Sequence, residues 1–92
     1  MQVHNDSLNL TFYADPGHAW VKVPHHMIRD LGIGSKISRF SYMDRDHAYL
    51  EEDCDAALLI EKLRDQGVEV TFSEVYQEVS TIRDRLPRYV YL

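Results

Sequence analysis

The stretch that decides the fold is "HAYLEEDCDAALLIEKLRDQGVEVTF", residues 47–72. Its middle, residues 54–66, reads as an amphipathic helix. Ala57, Leu58, Ile60 and Leu63, with Ala56 and Leu59 beside them, form an apolar stripe, and Glu61, Lys62, Arg64 and Asp65 fall outside it. Gly67 ends the helix. On either side the period changes: "VEVTF" (68–72) alternates apolar and polar residues as a strand does, and "HAYLEE" (47–52) reads as another strand. A helix with one apolar face between two strands has to bury that face against their sheet.

Working outward, "LNLTFYA" (8–14) alternates Leu8, Leu10 and Phe12 against polar neighbours and predicts a strand. "DPGH" follows, with Pro16 and Gly17 suited to the centre of a type II turn and φ > 0 expected at Gly17. "AWVKV" (19–23) returns as the second strand of the hairpin. Pro24 suits the first turn of a helix in which Met27, Ile28 and Leu31 share a face, and Gly32 stops it. "SKISRFSYM" (35–43) alternates and predicts a strand, with "DRD" (44–46) turning the chain into residues 47–52. Beyond residue 72, Val75, Val79, Ile82 and Leu86 have helical spacing, but Val, Ile, Thr and Tyr favour strands. The expectation there is an extended segment ending in an irregular arm over 83–92, because Pro87 rules out a helix running to the end. The order ββαββαβ implies one α+β domain over residues 1–92: a small antiparallel or mixed sheet with two helices packed on one face.

Charge is unevenly spread. The formal total is −5, but residues 1–82 hold 7 Lys/Arg against 14 Asp/Glu, whereas "RDRLPRYVYL" (83–92) holds three arginines and one aspartate. Residues 44–55 carry six carboxylates and one cation, Arg45. An acidic body repels nucleic acid at long range and favours a basic protein partner. The basic tail, with Tyr89 and Tyr91, is suited to touching a phosphate or stacking on a base. One cysteine allows no internal disulfide, the start "MQVHNDSLNL" has no signal-peptide pattern, and no eighteen apolar residues run together. These features predict an intracellular protein.

The acidic knot has several chemical readings. Asp53 or Asp55 suits a helix cap, and acids in the first turn suit the helix dipole. Capping leaves Glu51 and Glu52 unexplained. Asp44, Asp46 and Asp55 occupy positions 1, 3 and 12 of a calcium-loop window, but Tyr49 stands where that loop requires glycine. The histidines, His4, His18, His25, His26 and His47, form no i, i+4 pair, and Cys54 has no partner at ligand spacing. No metal and no cofactor is therefore expected. Cys54 is a poor nucleophile among anions, which raise a thiol's pKa. Gly32 and Gly34 in "LGIGSK" follow a helix, whereas a phosphate-binding glycine loop precedes one, so a cap and a turn explain them. Catalytic residues are not expected. Among the aromatics, Phe12, Trp20, Phe40 and Phe72 are assigned to the core, and tyrosines near the knot and on the tail to an interface.

"YADPGHAWVKVP", "LGIGSKISRFSY" and "AYLEEDCDA" together resemble a family of small phage-encoded proteins in which D-P-G-H, W-x-K-V-P and Y-L-E-E-D-C-D segments recur in this order. The likeness covers about residues 11–60. In length and general character the chain also resembles anti-CRISPR proteins that inhibit the type I-F (Csy) RNA-guided surveillance complex. That resemblance implies a stoichiometric inhibitor in the host cytoplasm that binds basic subunit surfaces and blocks DNA recognition. Asp44, Asp46, Tyr49, Glu51 and Glu52 are then the partner-binding candidates, with the four carboxylates facing solvent together. Arg83, Arg85, Arg88 and Tyr89 are candidates for contact with the guide RNA backbone. A small phage DNA-binding regulator and a virion assembly component are the alternatives.

Overall fold

A computed structural model describes residues 6–78 and 81–91 and shows an α+β fold on a five-stranded mixed sheet. The strands are β1 (Ser7–Ala14), β2 (Ala19–Pro24), β3 (Tyr42–Met43), β4 (His47–Glu51) and β5 (Glu69–Tyr76). The helices are α1 (His25–Leu31), α2 (Asp55–Asp65) and α3 (Thr81–Arg85), with one 3-10 turn at Gly34–Lys36. Across the sheet the order is β3-β4-β2-β1-β5. Neighbours from β3 to β1 pair antiparallel, and β5 joins β1 in parallel, from Ser7↔Glu69 to Ala14↔Tyr76. Strands β4 and β5 therefore point the same way, and α2 is the crossover between them.

Alternation along the strands sorts the two faces. Leu10, Val21, Val23, Ala48, Leu50 and Val70 turn towards α1 and α2, where they meet Ile28, Ile33, Ala56, Leu59 and Leu63. Burying each larger aliphatic side chain contributes about 1.5–3 kcal/mol, an upper figure because the unfolded chain already hides some of it. The opposite face carries Trp20, Tyr42 and Tyr49, covered by Ile82 of α3 with Tyr13 and Leu86 at the margin. The two longer helices share one face of the sheet, and the third lies on the other.

Several local expectations are corrected. Residues 35–43 are a strand only at Tyr42–Met43. The buried Asp55 accounts for this: its Oδ2 accepts hydrogen bonds from the Ser38 N–H (3.0 Å), Ser38 Oγ (2.6 Å) and Ser41 Oγ (2.5 Å). Ser41 Oγ in turn accepts the Glu51 N–H. Side chains thus take the polar groups that a ladder would use. Neither Asp53 nor Asp55 caps α2; Cys54 is the N-cap residue without a side-chain cap bond, and Glu51 Oε2 accepts its N–H instead. The buried stripe of α2 is Ala56, Leu59 and Leu63, with Ala57 exposed. Pro24 ends β2 and is the N-cap of α1, so it precedes the helix. Gly17 has no positive φ; only Gly32 and Gly67 do among the described residues. Phe40 is 68 % exposed and Phe72 41 %, so neither is core. Val79 lies outside the described residues.

The tail also differs from an irregular arm. It is helical from Thr81 to Arg85 and then lies along the β3 edge. There Tyr42 bridges Arg88, the Met43 N–H donates to Pro87 O, and the Tyr89 N–H donates to Ser41 O. Tyr89 belongs to the main core, and its ring lies near that of His25.

Candidate anion-binding groove

A groove of about 550 Å³ opens between α1, the β3–β4 turn and the C-terminal segment. Helical spacing builds the first wall: His25, Ile28, Arg29 and Gly32 stand at i, i+3, i+4 and i+7. Gly32, at φ 69°, ends α1 and turns the chain out of the helix; its N–H donates to Arg29 O. The second wall is Met43, Asp44 and Arg45, and the third is Tyr89, Val90 and Tyr91. Gly34 forms part of the floor. A Cβ there would stand 2.6 Å from the Tyr91 ring, so the ring's position depends on glycine at 34.

The second wall is held by a turn that the sequence uses twice. In D-P-G-H (15–18), Asp15 Oδ1 accepts the N–H groups of Gly17 and His18, and the Asp15 N–H donates to His18 O. In D-R-D-H (44–47), Asp44 Oδ1 accepts those of Asp46 and His47, and the Asp44 N–H donates to His47 O. An aspartate that accepts the N–H groups of the residues after it closes the turn through its own side chain. Tyr49 Oη adds a hydrogen bond to Asp44 Oδ2 at 2.7 Å. Burial alone would raise the Asp44 carboxyl, but the bonds from Tyr49 and the two N–H groups outweigh it and hold its pKa below the usual carboxylate range. Burial and the Asp44 charge push the Tyr49 phenol well above its ordinary range.

Turn and helix are tied together. His25 Nε2 lies 2.9 Å from Asp44 O, which can only accept, so Nε2 carries the proton and donates. The His25 N–H donates to Asp46 O as well. The ring of Tyr89 lies 6.5 Å from that of His25. Burial, with Tyr91 and Asp55 nearby, raises the Tyr89 phenol, which stays protonated at neutral pH.

Arg29 and Arg45 are both exposed, and neither has an ion-pair partner among the described residues. The groove therefore combines two free guanidinium groups with the rings of His25, Tyr89 and Tyr91. Its one carboxylate, Asp44, is already engaged. Guanidinium forks suit phosphate or carboxylate oxygens, and aromatic faces suit a flat ring. The volume falls within the range of small-ligand sites.

Compared with known proteins, the chain matches no family model, no curated protein and no solved structure.

The residues singled out in the sequence end up in different places. Asp44 and Tyr49 bond each other; Tyr49 is 8 % exposed, and the Asp44 side chain stays partly exposed. Glu51 caps Cys54. Asp46 and Glu52 are exposed but stand at opposite ends of β4, about 20 Å apart by strand rise. The four carboxylates expected to face solvent together do not form one patch. Arg83 donates to His18 Nδ1 (3.1 Å) and lies 4.0 Å from Asp84, on the α3 face of the sheet. Arg88 donates to Arg39 O and lies over the Tyr42 ring at 5.2 Å. Arg85 is exposed. Tyr89 reaches the groove, but from the core: it is 6 % exposed. Tyr91, expected at an interface with the rest of the tail, lines the groove, whereas Arg29, Arg45 and His25 were not expected to bind a partner. The i, i+4 spacing of His25 and Arg29 was visible in the sequence; their approach to Arg45 depends on the β3–β4 turn and was not.

No helix among the described residues is long and apolar enough to cross a membrane.

Proposed function

We propose that the protein acts by binding, and that its groove holds a phosphate-bearing ligand with a flat ring, the size of one nucleotide unit. The observation that carries this is the pair of unpaired arginines, Arg29 and Arg45, on the rim of an aromatic-walled groove. A body with a net charge of −5 disfavours a long polyanion, so the footprint is one or two phosphates. His25, the imidazole of the site, is committed to Asp44 O through Nε2, which supports holding a ligand over transforming one.

The inhibitor reading is a more specific form of the same proposal. In it the nucleotide belongs to the guide RNA of a type I surveillance complex in the host cytoplasm, and the protein blocks that complex by occupancy. Its support is the chain's resemblance in length and general character to type I-F anti-CRISPR proteins, beside the likeness of residues 11–60 to small phage proteins. An acidic mimic of DNA has less support, because the carboxylates are dispersed. Co-elution with a purified type I complex tests this form, and free protein beside an intact complex argues against it.

Calorimetric titration with adenosine monophosphate, adenosine and a short single-stranded RNA tests the broader reading. The expected result is binding of the two phosphorylated ligands, weaker by about tenfold for each of Arg29→Ala and Arg45→Ala, since one charge-assisted contact contributes about 1.4 kcal/mol. Binding of no phosphorylated ligand, or affinities unchanged in both variants, rejects it.

A further inference from the structure

The two edges of the sheet are treated differently. At one, β3 has only two residues and is bridged by the C-terminal segment through Arg88 and Tyr89. At the other, β5 runs for eight residues, and no described strand pairs with its outer side. Every residue from Thr71 to Tyr76 is exposed, including Phe72, Val75 and Tyr76, and only Val70 is buried. β5 contains no proline or lysine, devices that commonly protect an edge.

Backbone direction shows what this edge presents. The Glu69 N–H donates to Asp6 O and the Gln77 N–H to Ala14 O, so odd-numbered residues of β5 turn their polar groups towards β1. By alternation, the N–H and C=O groups of Val70, Phe72, Glu74 and Tyr76 point outwards. They form an unpaired ladder four residues long.

We infer that β5 pairs antiparallel with β5 of a second copy of this chain, across a two-fold axis at Ser73, so that two five-stranded sheets become one of ten. With the axis there, Phe72 faces Glu74 of the other copy, Val70 faces Tyr76, and Thr71 faces Val75. All four outward residues find hydrogen-bond partners. Placing the axis at Glu74 instead would set two carboxylates directly opposite, which is unfavourable. A second copy is the occupant because an isologous strand pair is self-complementary: Tyr76 gains cover from Val70 opposite, and Phe72 from its own counterpart, which lies diagonally across the pair. The grooves lie towards the β3 side of each sheet and stay open, so dimerisation and ligand binding are separable.

The test is the mass of the full chain in solution by analytical ultracentrifugation. The expected species at high micromolar concentration has twice the chain mass of 10.8 kDa. Glu74→Pro removes an outward N–H and leaves the bonds to β1 in place; Phe72→Lys adds a charge to the edge. Both are expected to give folded monomers. Register is read by oxidation in a Cys54→Ser background. Ser73→Cys should crosslink, because residues opposite each other at a non-hydrogen-bonded position have Cα atoms about 4.5 Å apart, within disulfide range. Thr71→Cys should not. A wild-type monomer, a dimer that survives both edge substitutions, or crosslinking through 71 and not 73 overturns the inference.

Discussion

Asp55 shows how one side chain can set a loop. It is 3 % exposed, and its Oδ2 satisfies two serine hydroxyls and one backbone N–H. Asp55→Ala would leave the buried Ser41 hydroxyl and the half-buried Ser38 donors without this acceptor, and the expected loss is about 3 kcal/mol in chemical denaturation. A loss below about 1 kcal/mol would mean that water replaces the carboxylate. The sequence shows an aspartate before an apolar run and invites a cap; its partners lie 14 and 17 residues upstream, and nothing in local spacing marks them. Asp44 and Tyr49 carry the acid response. The folded Asp44 pKa is depressed, so its contribution is present above the unfolded value near pH 4 and is lost as pH falls through the lower folded value. Tyr49→Phe removes one cause of that depression. Melting temperature followed from pH 6 down to pH 2 should therefore fall less steeply on the acid side in Tyr49→Phe than in wild type, from a lower starting point. Parallel curves would remove the tyrosine from the account.

At the scale of the element, the strands and helices that bury an apolar face were readable from period alone: β1, β2, β4 and α2 stand where alternation or helical spacing put them. What escaped was set by side chains acting on the backbone. The alternation of residues 35–43 is real, but Ser38 and Ser41 answer to Asp55, and the strand shrinks to Tyr42–Met43. The tail from Thr81 became a helix followed by an edge-covering segment because Ile82 and Tyr89 find separate cores to enter. The hairpin turn gives a paired prediction. Gly17 has no positive φ, and an added Cβ would meet only Asp15 Oδ1, at 4.0 Å. Gly17→Ala should change stability by less than about 0.5 kcal/mol, whereas Asp15→Ala, which releases two backbone N–H groups, should cost about 1 kcal/mol or more. Thermal denaturation of both variants checks this, and a Gly17→Ala loss equal to that of Asp15→Ala would contradict the assigned turn.

On the scale of the whole molecule, the fold class was legible, and the mixed character of the sheet follows from one fact, the parallel entry of β5 beside β1. The candidate site was much less legible. Net charge drew attention to the carboxylates and to the arginines of the tail, but folding disperses the first and engages Arg83 and Arg88. It leaves Arg29 and Arg45, separated by fifteen residues of intervening chain, on one rim. Such a meeting depends on topology, which composition does not encode. The central claim, that this rim and its aromatic walls bind a nucleotide-sized phosphate ligand, is tested most directly by amide chemical shifts during titration with adenosine monophosphate. The account predicts shifts concentrated at Arg29, Gly32, Gly34, Arg45, Tyr89 and Tyr91, and abolished in the Arg29→Ala/Arg45→Ala double variant. Shifts that are absent at millimolar ligand, that fall on other surfaces, or that persist in the double variant would contradict it.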